Sequence, residues 1–154
     1  MLIQQQFTVA APAPDVWSFF RDIPTVASCI PGVERCEPVA ERVYQGTMRV
    51  KVGPLGFRLA GRLTEQEVDE ETRTATLAIS AEDRALASAV NGTLRLRVSE
   101  EDDGTRVTLD AEANVLGKLG QFGEGVIRLT ANALMKQFTA CVQQRLIGPA
   151  TVTA

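Results

Sequence analysis

The last fifth of the chain constrains the fold most strongly, because its pattern predicts one long amphipathic helix. This helix follows a glycine-rich segment, Gly117-Lys-Leu-Gly-Gln-Phe-Gly-Glu-Gly125. Apolar residues at helical spacing predict one broad buried face, formed by Phe122, Val126, Leu129, Ala133 and Phe138 and widened by Ile127, Leu134 and Cys141. A small domain with its only long helix at the end usually lays that helix across a curved sheet.

Composition and charge limit the number of domains, the class of partner and the location of the protein. The chain has 154 residues, 45% of them hydrophobic and 23% charged, which predicts one globular domain over residues 1–148 and a short flexible tail over residues 149–154. A net charge of -3 gives no general attraction to phosphate backbones, so we expect no nucleic-acid partner. The sequence shows neither a membrane-spanning stretch nor a signal peptide, and we expect a cytoplasmic protein.

Cysteine and histidine usage limits the chemistry. Cys29, Cys36 and Cys141 are odd in number and unevenly spaced, which favours reduced thiols over a disulfide framework. Histidine is absent, so serine and cysteine nucleophiles activated by histidine are excluded, as are the usual zinc and non-haem iron sites. We therefore predict no metal site and no cofactor.

Strand signals fill the rest of the chain. Alternation over residues 3–9 predicts a first strand, and two short helices follow, one starting at Pro14 and one around Thr25 to Ser28. Six further strands are predicted between turn signals, at residues 33–39, 42–52, 57–68, 72–81, 86–99 and 105–115.

Each of these strands places apolar residues on one face and polar residues on the other. One helix is too narrow to cover a seven-stranded sheet, so the sheet must curl around it. We therefore predict an α+β helix-grip fold. In it, a curved seven-stranded antiparallel sheet wraps around the long C-terminal helix, with two short helices after strand one and an internal hydrophobic cavity.

The alternation also predicts which residues line this cavity. They are Tyr44, Met48, Val50, Phe57, Leu59, Leu77, Ile79, Ser88, Leu94, Leu109, Phe122, Val126, Leu129, Ala133 and Phe138. Small residues on the same faces, such as Gly61 and Gly92, would leave volume unfilled. Tyr44 and Ser88 are candidate polar contacts for a ligand head group, although Tyr44 is equally consistent with a hydrogen-bonded core tyrosine. The apolar residues would also pack a filled core.

No catalytic residue is predicted, because a general base must lie in the cleft beside its substrate. Glu112 points outward by strand alternation, and Asp22, Glu82 and Asp83 lie at the ends of elements. The outer face of two neighbouring strands carries Arg49, Lys51, Arg58 and Arg62. This outer row is either a solvated surface or a docking surface for an acidic protein or anionic lipid head groups.

Several segments resemble the CoxG-like family, which is named for the G subunit of carbon monoxide dehydrogenase and belongs to the START-type (SRPBCC) polyketide cyclase and lipid-transport superfamily. They are Phe7-Thr-Val-Ala-Ala-Pro, Cys29-Ile-Pro-Gly-Val-Glu34, Val50-Lys-Val-Gly-Pro54 and Gly117-Lys-Leu-Gly-Gln-Phe-Gly123. The resemblance implies a helix-grip fold with a hydrophobic cavity. It also implies an accessory role beside a molybdenum hydroxylase of the carbon monoxide dehydrogenase type. Recruitment of that enzyme to the inner face of the cell membrane and handling of a quinone or other lipid would belong to the role.

Three functions remain open at this point. The first is a non-enzymatic carrier or recruitment factor, acting as a monomer or weak homodimer, that binds a quinone or other isoprenoid and assists a molybdenum hydroxylase. The second is a polyketide cyclase or hydratase, which would need an acid or base inside the cavity. The third is a ligand-free assembly factor with a filled core that docks through its outer face. The glycine-rich segment is either a gate for the ligand or a turn from strand to helix.

Overall fold

The structure, a computed structural model, describes the backbone of residues 1–153 and the side chains of residues 1–147. The elements are β1 (Leu2–Val9), α1 (Ala13–Arg21), α2 (Ile23–Ala27), β2 (Val33–Ala40), β3 (Val43–Val52), β4 (Leu55–Asp69), β5 (Thr74–Asp83), β6 (Ser88–Glu101), β7 (Gly104–Gly117), a 3₁₀ turn (Gly120–Phe122) and α3 (Gly123–Thr153). The predicted order of elements is confirmed. The predicted tail over residues 149–154 lies outside the residues whose side chains are described, so its boundary stays a prediction.

All seven strands of the described chain form one antiparallel sheet, in the order β1-β7-β6-β5-β4-β3-β2. Strands β2 to β7 are a meander in which each strand pairs with the next, and β1 joins the far edge beside β7. We call the face that packs against α1 and α3 the inner face, and the opposite one the outer face. This is the helix-grip fold that the sequence predicts.

The main hydrophobic cluster joins α1 and α3 to the inner face of the sheet. Val16 and Phe20 of α1 are buried in it with Leu96 of β6, and α3 contributes Phe138 and Val142. The Phe20 and Phe138 rings lie 6.3 Å apart between centroids. Burial of these large side chains holds the second half of α3 on the sheet.

A second, separate cluster lies at the other end of the inner face, where the chain passes from β7 into α3. Val52 and Phe57, from β3 and β4, are buried there with Leu119. The ring of Phe122 meets that of Phe57 edge to face at 6.3 Å. The glycine-rich segment therefore contributes two side chains of its own to the core.

The predicted buried face of α3 is wrong in its first half. Phe138 is buried at 5% exposure, but Leu129 is 71% exposed, Val126 is 38% exposed, and Ala133 is exposed as well. The helix advances about 100° per residue, so a residue nine positions before Phe138 lies on the opposite side of the helix. The apolar spacing drifts around the helix and does not keep to one face.

Two side chains of α3 donate hydrogen bonds to the free edge of β1. Arg128 donates from Nη1 to the carbonyl oxygen of Leu2 at 2.7 Å, and Gln143 donates from Nε2 to that of Thr8 at 2.8 Å. An open strand edge invites pairing with other chains, and these contacts occupy two of its carbonyl groups.

Cys29 and Cys141 form a disulfide that ties the segment after α2 to α3, with 5.5 Å between their Cα atoms. The expectation of reduced thiols is therefore wrong for this pair, and Cys36 is the free cysteine of the described residues. The two residues are 112 positions apart. The odd number and uneven spacing of cysteines carry no information about contacts that only the folded chain creates.

Two glycines of the glycine-rich segment adopt backbone conformations that other residues rarely adopt. Gly117 has a φ of 76°, and a Cβ there would stand 1.7 Å from the carbonyl oxygen of Ala87. Gly123 has a φ of 84°, but open space surrounds the position that its Cβ would occupy. A turn from strand to helix is therefore sufficient to explain Gly117, because the backbones of Gly117 and Ala87 are in contact.

Candidate ligand site on the inner face

Between the two clusters, the inner face carries apolar side chains that are only half-buried. Met48 and Leu59 are opposite each other on β3 and β4, and Ile79 lies on β5 opposite Leu63. All three share the inner face with the buried Phe57 and Leu77, yet each is half-exposed. We call these three residues, together with Ile127 and Leu134 of α3, the half-buried zone.

Two residues of α3 are included in the zone. Ile127 and Leu134 lie on the same side of α3 as Phe138, which is the side that packs on the inner face, and both are half-buried. Neither belongs to the two hydrophobic clusters. Because α3 packs tightly only in its second half, its first half leaves this part of the inner face incompletely covered.

The other predicted lining residues are distributed over the inner face as follows. Tyr44, Leu77, Leu94, Leu109 and Phe138 lie in or against the main cluster, and Val50, Phe57 and Phe122 lie in or against the second one. Val126, Leu129 and Ala133 are exposed on α3, as described above. Sequence alternation thus assigns the sheet residues to the inner face correctly, and it fails on the helix.

Ser88 and the inner-face glycines have structural roles. The Ser88 hydroxyl donates to the carbonyl oxygen of Leu86 at 2.9 Å and accepts from the backbone N–H of Leu119 at 3.0 Å. A Cβ at Gly61 would stand 2.3 Å from the Ser80 carbonyl oxygen, so this glycine allows a close approach of β4 and β5. These contacts leave Tyr44 as the remaining predicted polar contact for a ligand.

A buried carboxylate that the sequence analysis missed lies at the main-cluster end of the inner face. Glu65 follows Leu63 on the inner face of β4, and only 5% of its side chain is exposed. Arg21 of α1 donates to its Oε2 at 2.6 Å. Strand alternation from Leu63 would have placed Glu65 inside, which was the available signal.

Arg21 is shared between two carboxylates. Its Nε also lies 3.3 Å from Oε1 of the exposed Glu70, whose other oxygen accepts a hydrogen bond from Nε1 of Trp17. One guanidinium and two carboxylates leave this group with a net charge of -1. The network fastens the end of α1 to β4 and keeps the Glu65 charge compensated.

The charges of this network shift the pKa of Tyr44. Burial raises the pKa of the Tyr44 hydroxyl, and the negative charge of Glu65 raises it further. A hydrogen bond to Glu65 adds to the shift, and the hydroxyl is protonated at neutral pH. On β2, burial also raises the pKa of the Cys36 thiol, which keeps that sulfur a poor nucleophile.

The sequence profile of the CoxG family, described as the G subunit of carbon monoxide dehydrogenase, matches residues 6–147. The chain belongs to the CoxG family. The motifs that carry the resemblance have physical roles in the fold. Glu34 of the Cys29–Glu34 segment pairs with both Arg49 and Arg58 on the outer face, at 3.1 and 3.2 Å.

Solved structures share the fold of this CoxG protein at low identity. A conserved protein from Geobacillus kaustophilus has a TM-score of 0.85 at 18% identity, with 95% of each chain covered. A START superfamily protein from Mycobacterium smegmatis has a TM-score of 0.70 at 12% identity, covering 94% of this chain and 96% of that one. The Zhui aromatase/cyclase from Streptomyces sp. R1128 has a TM-score of 0.60 at 19% identity, with 97% of each chain covered.

A search of curated protein sequences finds no significant match. Among the described residues of this CoxG protein, no helix has the length and apolar character that a membrane crossing requires.

Proposed function

We propose that this CoxG protein binds an apolar small molecule, a quinone or another isoprenoid lipid, on its inner face. The half-buried zone carries the proposal, because it leaves apolar side chains in contact with water between two packed clusters. A ligand that covered about 200 Å² of apolar surface there would gain about 5 kcal/mol. The Tyr44 hydroxyl would be the polar contact for the ligand head group.

The bound ligand would serve a molybdenum hydroxylase of the carbon monoxide dehydrogenase type. Family membership supports this accessory role, in membrane recruitment, electron transfer or assembly of that enzyme. We place the protein in the cytoplasm, in peripheral contact with the inner face of the cell membrane, as a monomer or weak homodimer. Residues 1–148 would form the single domain that carries the function.

The ligand proposal is tested by filling the zone. Ile79→Trp places a large ring in the half-buried zone, whereas Ser80→Trp, at the next position of β5, places the same ring on the exposed outer face. Binding of a short-chain quinone is measured by equilibrium dialysis and native mass spectrometry. We expect Ile79→Trp to abolish binding and Ser80→Trp to preserve it. Failure of the unaltered protein to bind any quinone or isoprenoid would refute the proposal.

Glu65 favours a second candidate, a polyketide cyclase or hydratase. It is the internal carboxylate that such an enzyme requires, and an aromatase/cyclase shares the fold. The ion pair with Arg21 weighs against it, because the guanidinium already occupies an oxygen of the carboxylate that would have to take a proton from the substrate. Turnover of a polyketide-like substrate that Glu65→Gln and Tyr44→Phe both abolish would establish the enzyme. No turnover would leave the carrier proposal in place.

A third candidate is a ligand-free assembly factor that docks through its outer face. Arg49 and Arg58 lie directly opposite each other and share Glu34, and Lys51 extends the same surface. Charge reversal at Lys51 would weaken a salt-sensitive complex with the hydroxylase. Docking that persists in a protein unable to bind any ligand would favour this candidate.

A further inference from the structure

A groove of about 510 Å³ lies on the outer face, across strands β2 to β5, on the side of the sheet opposite the half-buried zone. We call it the outer groove. Its lining includes Arg35, Glu37, Thr47, Arg62, Glu82 and Arg84. Thr47 is paired with Arg35 on one side and with Ala60 on the other. These pairs form a row of side chains across the outer face. The row is low in the middle because the side chain of Ala60 is short, which explains a concave site on this face.

The floor of the outer groove contains a polar atom without a partner. The Thr47 Oγ1 atom is buried and makes no hydrogen bond to any described residue. An unsatisfied buried hydroxyl is costly in a folded protein and calls for a partner. A bound group with acceptor oxygens would satisfy it.

The charges around the outer groove favour an anion. Arg35 is paired with Glu37, and Arg84 lies 3.0 Å from Glu82. Arg62 has no carboxylate within ion-pair distance among the described residues. It donates instead to the neutral amide of Gln45, at 3.2 Å from Nε and 3.1 Å from Nη2 when the amide oxygen faces it.

Three guanidinium groups and two carboxylates leave the outer groove with one net positive charge, on a chain whose net charge is -3. The planar fork of arginine matches phosphate oxygens in pairs, and a threonine hydroxyl can donate to a third oxygen. We propose that the outer groove binds a phosphate monoester, held by Arg62 and Thr47 with Arg35 and Arg84 at its sides. This site is independent of the apolar ligand proposed for the inner face.

Phosphate monoesters occur free in solution and as lipid head groups, and two probes separate these sources. The first is glycerol phosphate, followed by isothermal titration calorimetry and by amide chemical shifts. The second is a vesicle of phosphatidylcholine with phosphatidic acid, followed by sedimentation. Binding of glycerol phosphate would identify a soluble ligand. Binding to the vesicles alone would identify a lipid head group.

Two substitutions and one matched control test the residues. Arg62→Gln should weaken binding of whichever probe binds by about 10-fold or more, as loss of a charge-assisted pair predicts. Thr47→Val should weaken binding by about 3-fold to 10-fold but should not lower the melting temperature of the free protein, because it removes an unsatisfied buried hydroxyl. Arg95→Gln, on the outer face of β6 but not in the groove lining, should change binding by less than about 2-fold.

The proposal is overturned if neither probe binds at millimolar concentration, or if Arg62→Gln and Arg95→Gln behave alike. Arg62 and Arg95 are both exposed, so these two variants should fold like the unaltered protein.

Discussion

Nη1 of Arg21 lies 2.6 Å from Oε2 of Glu65, and this ion pair joins the end of α1 to the inner face of β4. The Glu65 side chain is 5% exposed, whereas that of Arg21 is 34% exposed. A carboxylate withdrawn from water to this extent needs a paired cation to offset its loss of hydration. The pair therefore fixes the position of α1 as well as the electrostatics beside the proposed ligand site.

Removing one partner of this pair should cost more than removing both. Arg21→Met would leave Glu65 buried without its cation, and we expect a loss of about 1–3 kcal/mol in the free energy of unfolding. Arg21→Met combined with Glu65→Leu should recover most of that loss. Urea denaturation followed by fluorescence of Trp17, the single tryptophan, measures both. A double variant less stable than Arg21→Met would contradict this account of the pair.

The titration of Tyr44 reports on Glu65, because Tyr44 is the single tyrosine of the chain. Glu65→Gln removes one of the causes that raise the pKa of Tyr44. We expect the titration midpoint to fall but to remain above the ordinary value of about 10, since burial persists and is the larger cause. The ultraviolet absorbance of the phenolate measures it. An unchanged midpoint would show that the two side chains do not interact.

The disulfide predicts a definite thiol count. Under denaturing conditions without reductant, the oxidised protein should show one reactive thiol, that of Cys36, and three after reduction. Cys141→Ser should lower the unfolding free energy by about 4–5 kcal/mol, because the bond closes a loop of about a hundred residues in the unfolded chain. Cys36→Ser is the control and should change it little. Three reactive thiols before reduction would rule the bond out.

The orientation of α3 is tested by truncating one residue on each side of the helix. Phe138→Ala should destabilise the protein by about 3–5 kcal/mol, because it empties part of the main cluster. Leu129→Ala should change stability by no more than about 0.5 kcal/mol, because Leu129 is exposed. Thermal denaturation of the two variants compares them. Equal losses would mean that Leu129 faces the core, as the sequence pattern suggested.

Asp83 should make stability depend on acid pH. Its buried carboxylate accepts hydrogen bonds from the backbone N–H of Arg58 at 2.9 Å and of Leu86 at 3.0 Å, and these bonds lower its pKa. A lowered folded pKa gives stability that is present above the unfolded value of about 3.9 and is lost as the pH falls through the folded value. Asp83→Asn should remove this slope, measured as urea midpoints between about pH 2 and pH 5.

The control for Asp83 is Asp103→Asn, in the exposed turn between β6 and β7, which should keep the slope. An Asp83→Asn variant with the same acid sensitivity as the unaltered protein would assign the slope to other carboxylates.

The sheet was predictable because strand alternation is a local property. Side chains on a strand alternate between two faces, so Tyr44, Met48 and Leu59 could be assigned to the inner face before any contact was known. The same rule places Glu65 on the inner face. A carboxylate following Leu63 on an otherwise apolar face was the one sequence signal for the ion pair that lies there. Turn signals and the length of the last apolar segment fixed the order of elements.

The sequence by itself thus determined the seven strands, the long final helix, the inward set of sheet residues and the family. Only the tertiary structure decided which side of α3 faces the sheet, because a helix with apolar residues on several sides is oriented by the surface it meets. The pairing of Cys29 with Cys141 and of Arg21 with Glu65 was decided in the same way. Contacts between residues far apart in the chain depend on how the elements pack, and no local pattern records that packing.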